Sequence, residues 1–116
     1  MTEMTEHDAE AQARRAARYL PRIRAIVLDG LARHPGVTVY LFGSYAGGRG
    51  RRLSDVDVAI DAPGDLPRAV IAELREALEE STVPLRVDLV DLRDADPAFR
   101  QRVRREGIRW TASKSA

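Results

Sequence analysis

The sequence predicts an α/β domain of the mixed, α+β kind: a mixed central β-sheet of about four strands packed with helices. Three observations carry this. Short β-branched or aromatic runs alternate with longer segments of helical period. Two of the runs set aspartates at alternate positions among Val, Ile and Leu, the pattern of strands with one apolar face. A length of 116 residues suits one small domain and leaves little for a second lobe.

Residues 1–8 are polar and read as a frayed arm. From Ala9 to Leu20, alanines and arginines favour a helix, and Pro21 is expected to open or kink the next one. That second helix carries an apolar stripe of Ile23, Ile26, Val27, Leu28 and Leu31, is weakened by Gly30, and ends at His34-Pro35-Gly36. The first has only a narrow apolar face, which suits a partner interface as well as a core.

Val37–Phe42 reads as a buried strand, bounded by Pro35-Gly36 and Gly43-Ser44. The chain leaves it through Gly43, Ser44, Gly47, Gly48 and Gly50, where the lack of side chains lets the backbone approach a ligand. Such a turn can offer N–H groups and the Ser44 hydroxyl to phosphate oxygens. Val56, Val58 and Ile60 then alternate with Asp55, Asp57, Ala59 and Asp61 in a second strand. Asp65 is positioned to cap a helix running to about Glu80, with Leu66, Val70, Ile71, Leu74 and Leu78 inward and Glu73, Glu76, Glu79 and Glu80 outward. Ser81-Thr82-Val83-Pro84 breaks it. A third strand follows, with Leu85, Val87 and Leu89 on one face and Arg86, Asp88 and Val90 on the other. A last helix near Pro97–Arg105 leads through Gly107 into the short strand Ile108-Arg109-Trp110. The expected division is a helical arm over 1–20, the domain proper over 21–110 and a disordered tail over 111–116. The strands bearing Asp55/Asp57 and Asp88 are expected side by side at the sheet centre.

On a strand, residues i and i+2 lie roughly 7 Å apart on one face. Asp55 and Asp57 therefore repel unless a cation sits between them. Magnesium suits such a site, because it takes oxygen ligands and shares them with substrate phosphates. Asp88 needs a reason to stand in so apolar a strand, and a place beside Asp55 and Asp57 supplies one. Asp91 and Asp94 compete for that role. Asp61 reads as a solvated residue opening a turn, and Ser54 as a loop brace. Together the residues point to a divalent-metal site that handles a nucleoside triphosphate.

Gly43-Ser44-Tyr45-Ala46-Gly47-Gly48, ten residues from Ser44 to Asp55, then Ser54-Asp55-Val56-Asp57-Val58-Ala59-Ile60, resembles the signature of the polymerase β-like nucleotidyltransferase superfamily. The likeness is to its minimal stand-alone members, the MNT proteins, and runs from about Pro21 to Trp110. The resemblance implies the nucleotidyltransferase fold. It implies that Asp55 and Asp57 bind magnesium and the triphosphate, that Gly43 and Ser44 hold the phosphates, and that Asp88 is the third acid and activates an acceptor hydroxyl. It implies transfer of a nucleoside monophosphate, AMP from ATP, with release of pyrophosphate. MNT proteins commonly act as antitoxins beside a HEPN-domain ribonuclease toxin, so the implied acceptor is a hydroxyl of that partner. One departure is Gly47, where such proteins often carry a basic residue; Arg49, Arg51 and Arg52 are the candidates to replace it.

Composition narrows the remaining classes. Cysteine is absent, which excludes disulfides and thiol chemistry. No apolar run approaches the ~20 residues of a membrane span, and the polar, acidic start is unlike a signal peptide, so a prokaryotic cytoplasm is expected. The net charge of +1 provides no global basic field for nucleic acid. Arg100, Arg102, Arg104 and Arg105 read as a solvated face, His7 and His34 lack metal-ligand company, and Tyr40 and Trp110 read as packing residues. The alternative to an enzyme is a binding antitoxin that neutralises its partner by covering it, with the acids as remnants. Small-molecule transfer follows only by analogy and lacks a second domain.

Overall fold

The computed structural model describes residues 6–42 and 55–110. Along the chain these form α1 (Glu6–Gly30), β1 (Thr38–Phe42), β2 (Val56–Asp61), α2 (Arg68–Glu80), β3 (Val87–Asp91), a 3-10 turn (Leu92–Asp94), α3 (Pro97–Glu106) and β4 (Ile108–Trp110). The four strands make one mixed sheet in the order β3-β2-β1-β4, antiparallel except for the β2–β3 pair. The predicted α+β class is what the chain adopts.

Strand alternation divides the core. Val39, Leu41, Val56, Val58, Ile60, Leu89 and Trp110 face one way and pack with Ile23 and Val27 of α1 and Ile71, Leu74 and Leu78 of α2. Phe42 and Ala59 face the other way and pack with Leu92 and with Val103 of α3. Full burial of an aliphatic side chain contributes about 1.5–3 kcal/mol, so the first layer dominates stability. The second layer covers only part of its face, and the remainder carries acids.

Helix α1 runs uninterrupted through Pro21, where two helices were expected. Pro21 is exposed while Ile23 and Val27 are completely buried. Burial of that stripe outweighs the lost N–H donor of one proline, about 3 kcal/mol. Ala16 joins the main core cluster, and Arg15 donates to the Pro84 carbonyl, so the alanine-rich part is tied to the domain. The helix ends at Gly30, earlier than expected, and a turn to His34 precedes Gly36, whose φ of 90° only glycine adopts readily.

Asp65 does not cap α2. The backbone turns from Pro63 to Leu66, and the helix begins at Arg68 after Pro67, with no side-chain cap. Pro67 holds the N-cap position in an extended conformation, and its carbonyl accepts the Val70 N–H at 3.0 Å. The inward set of α2 is as predicted, with Val70 half-buried. Helix α3 starts on a true cap, since the Asp96 carboxylate accepts from the Phe99 N–H at 2.9 Å. Strand β3 lies beside β2 as expected, but at the sheet edge rather than its centre, because β4 fills the far side of β1. Arg75 of α2 covers that edge by donating to the Leu89 carbonyl at 2.9 Å.

Candidate active site

The site grows from the parallel pair β2–β3. Asp57 and Asp88 occupy partnered positions, so both side chains leave the sheet on the same face, one strand spacing apart, roughly 4.8 Å. Across β2, Asp57 is partnered with Phe42, the last residue of β1. Asp57 is 0 % exposed, whereas Asp88, on the edge strand, is open to solvent. Asp55 sits just ahead of β2 and is exposed; its N–H donates to the Arg86 carbonyl at 2.8 Å, and its Oδ2 accepts the Arg86 N–H at 3.0 Å. The first of these ties main chain to main chain, and the second commits one oxygen of the Asp55 carboxylate to the Arg86 backbone, just ahead of the paired strands. Phe99 of α3 stands edge-on to Phe42, ring centres 5.5 Å apart, and walls the site on the covered side.

The competing acids are committed elsewhere. Asp91 lies on the opposite face of β3 and is 5 % exposed. Its Oδ1 accepts from the N–H and Nε of Arg93, both at 3.0 Å, and its Oδ2 accepts from Arg93 Nη2 at 2.8 Å and Arg68 Nη1 at 3.1 Å. The Arg93 guanidinium holds the Asp91 carboxyl below its ordinary range, against the opposing pull of burial. Asp94 takes both its contacts from Arg68, at 2.7 and 2.9 Å. Asp61 is not merely solvated: Arg104 grips it through Nε at 2.8 Å and Nη2 at 3.0 Å, which raises the arginine's pKa. Of the basic cluster, Arg100 donates to the Leu92 and Ala95 carbonyls and Arg105 faces Glu106 at 3.6 Å, so three of its four members have partners within the chain. Trp110 and Tyr40 are packing residues, one in each core cluster. Gly43, Ser44, Gly47, Arg49, Arg51, Arg52 and Ser54 lie outside the described residues, as does the 111–116 tail.

The family model described as polymerase beta, nucleotidyltransferase matches residues 31–114, which span both Asp-bearing strands and the β1 strand between Gly36 and Gly43. The chain belongs to this family. Among curated nucleotidyltransferase relatives, it is 38% identical over 71 residues to a "Probable protein adenylyltransferase MntA" of Haemophilus influenzae, covering 61% of this chain and 62% of the relative. It is 42% identical over 69 residues to the protein adenylyltransferase MntA of Shewanella oneidensis, covering 60% of this chain and 49% of the relative. The chain thus matches less than two thirds of the length of either. A solved structure described as a minimal nucleotidyltransferase superposes with a TM-score of 0.61 at 37% identity, covering 78% of this chain and 92% of the other. A toxin–antitoxin crystal structure with AMP-PNP superposes with a TM-score of 0.56 at 33% identity, covering 78% and 74%.

Nucleotidyltransferase chemistry implies a divalent cation, and the donor set fits one. The Asp57 and Asp88 carboxylates leave the sheet on one face as hard oxygen donors, and Asp55, with one oxygen taken by the Arg86 N–H, stands just ahead of them. Among the described residues, no three histidine, cysteine or acidic side chains come together as a group that could hold a metal ion. Magnesium does not require three, since it is usually held by one or two carboxylates plus waters and substrate phosphates. The sequence reading set Arg86 on the acid face but gave it no role; the ladder bonds that place it beside Asp55 required the strand pairing to be known. No described helix is long and apolar enough to cross a membrane.

Proposed function

We propose that this chain is a nucleotidyltransferase antitoxin that moves AMP from ATP onto a hydroxyl of a cognate HEPN-type ribonuclease toxin. The observation that carries the reading is the same-face pairing of buried Asp57 with exposed Asp88. It is supported by relatives described as protein adenylyltransferases and by the superposition on a toxin–antitoxin structure with AMP-PNP.

The chain's own residues divide the work by position. Asp57 and Asp55 bind the cation that accompanies the triphosphate, and Gly43 and Ser44 hold its phosphate oxygens. Magnesium, when bound, neutralises the triphosphate and polarises the α-phosphate. Asp88, at the open edge, accepts the proton of the acceptor hydroxyl. That oxygen bonds to the α-phosphorus, the bond between the α-phosphorus and its bridging oxygen breaks, and pyrophosphate leaves with the electron pair. Phe42 and Phe99 exclude water on the covered side. An acceptor reaching Asp88 must lie over the open edge of β3, the outermost strand of the sheet. A macromolecule that brings its own recognition surface meets that requirement.

A second reading, a binding antitoxin without chemistry, draws on the lack of a closed three-acid cluster among the described residues. The two are separated by the intact mass of the partner after co-expression with the parent chain and with Asp55→Ala/Asp57→Ala. Added mass of one or more AMP units with the parent alone supports transfer. An unmodified partner bound equally by both chains sinks it.

A further inference from the structure

Resting on the site reading above, we infer that Arg86 is the resident counter-cation of the acid cluster and makes magnesium uptake depend on the nucleotide. Leu85, Val87 and Leu89 all pack against the main core cluster, which leaves Arg86 with Asp88 on the acid face. The β2–β3 register pairs Val56 with Val87 and Asp57 with Asp88. One step back, the two backbone-to-Asp55 hydrogen bonds set Arg86 beside Asp55. Asp57 and Asp88 therefore stand on one face, with Asp55 and Arg86 side by side just ahead of their strands.

Arg86 is exposed and makes no ion pair among the described residues, whereas Arg68, Arg93 and Arg104 each hold a carboxylate. Its guanidinium is permanently charged, and neighbouring strand positions lie within about one Debye length, ~8 Å at physiological salt. It therefore offsets part of the repulsion among the acids when no metal is bound. The same charge opposes a bare divalent cation. A triphosphate reverses that balance, because its negative charge attracts both the cation and Arg86. Metal and nucleotide then enter together, and a chain without nucleotide stays largely unloaded.

The test is a titration of magnesium chloride without nucleotide, followed by thermal melting, on the parent, Arg86→Gln, Arg86→Lys and Arg22→Gln. Arg22 is exposed on α1 and controls for net charge. In low salt, Arg86→Gln should lower the half-saturating magnesium concentration about three- to tenfold, the range for a unit charge and a divalent ion roughly 8 Å apart in water. Arg86→Lys and Arg22→Gln should keep the parental value, and the difference should collapse in ~1 M KCl, where screening acts within about 3 Å. The main-chain bonds of Arg86 survive the substitution, so each variant is expected to fold. Identical titrations for Arg86→Gln and Arg22→Gln overturn the inference alone. Unchanged magnesium binding with weakened ATP binding in Arg86→Gln makes the residue a direct triphosphate ligand and also overturns it. A parent that never responds to magnesium, with or without ATP, removes the nucleotidyltransferase reading as well.

Discussion

Asp57 and Asp88 are partners across two parallel strands, one fully buried and one exposed at the sheet edge. The pairing gives the two acids different surroundings and so a different expected response to substitution.

Asp88 makes no hydrogen bond within the described chain that substitution would break, so Asp88→Asn should change stability by no more than about 0.5 kcal/mol. Transfer should fall at least ~100-fold, the order seen when one transition-state group is removed. Chemical denaturation beside an AMP-incorporation assay checks both. A variant that folds normally and retains full transfer excludes Asp88 from the reaction.

On the proposed assignment, Asp55 and Asp57 are the carboxylates that would hold the cation, so removing both should abolish the response to it. Asp55→Ala/Asp57→Ala should still fold without metal, and its melting temperature should not rise with magnesium and ATP. The parent's should. Equal responses in a differential scanning experiment would mean that the acids bind no metal.

Asp91 and Arg93 form the principal ion pair beneath the sheet, reinforced by three carbonyls, of Pro63, Gly64 and Leu66, around the guanidinium. Breaking a buried pair from one side costs about 3–5 kcal/mol, and exposure of Arg68 puts Asp91→Asn at the lower end. The folded carboxyl titrates below its unfolded value of 3.8. Its contribution is therefore complete above that value and lost as pH falls through the lower, folded one. Melting curves from neutral to acidic pH should show the parent's advantage over Asp91→Asn constant until about pH 4, then shrinking. An advantage that fades from pH 7 downward would contradict the assignment.

Gly107 is required by contact rather than by dihedral angle. A β-carbon there would lie 2.7 Å from the Val103 carbonyl oxygen, 3.1 Å from Tyr40 Cβ and 3.3 Å from the Leu41 carbonyl. Two of these neighbours are backbone and cannot rotate away. Gly107→Ala should cost about 1–3 kcal/mol, measured by urea denaturation, and a neutral result would show that α3 shifts freely on β1.

The pair Arg104–Asp61 is the surface counterpart. Its bidentate geometry is good, but the arginine is half exposed and its charge is screened by solvent, so Arg104→Ala should melt close to the parent and leave transfer intact. Loss of transfer in a stable Arg104→Ala variant would instead give the basic helix a part in acceptor binding.

Periodicity by itself determined the strands, the shared face of Asp57 and Asp88, and the inward stripe of α2. Alternation by two and repetition by 3.6 are local properties that each segment carries without its neighbours. It determined too that the fold is mixed, and the spacing of Gly43-Ser44 to Asp55 and Asp57 marked the family. It failed where a distant contact overrides a local preference. Pro21 looked like a break until burial of Ile23 and Val27 carried α1 through it, and Asp65 looked like a cap until the Pro63 turn moved the helix start. Only the tertiary structure shows that Asp91 and Asp94, the competitors of Asp88, are engaged by Arg68 from 23 and 26 positions away. Strand pairing likewise put Arg86 beside Asp55 across 31 residues. Register and ion pairing are relations between segments, and no window along a single chain contains them.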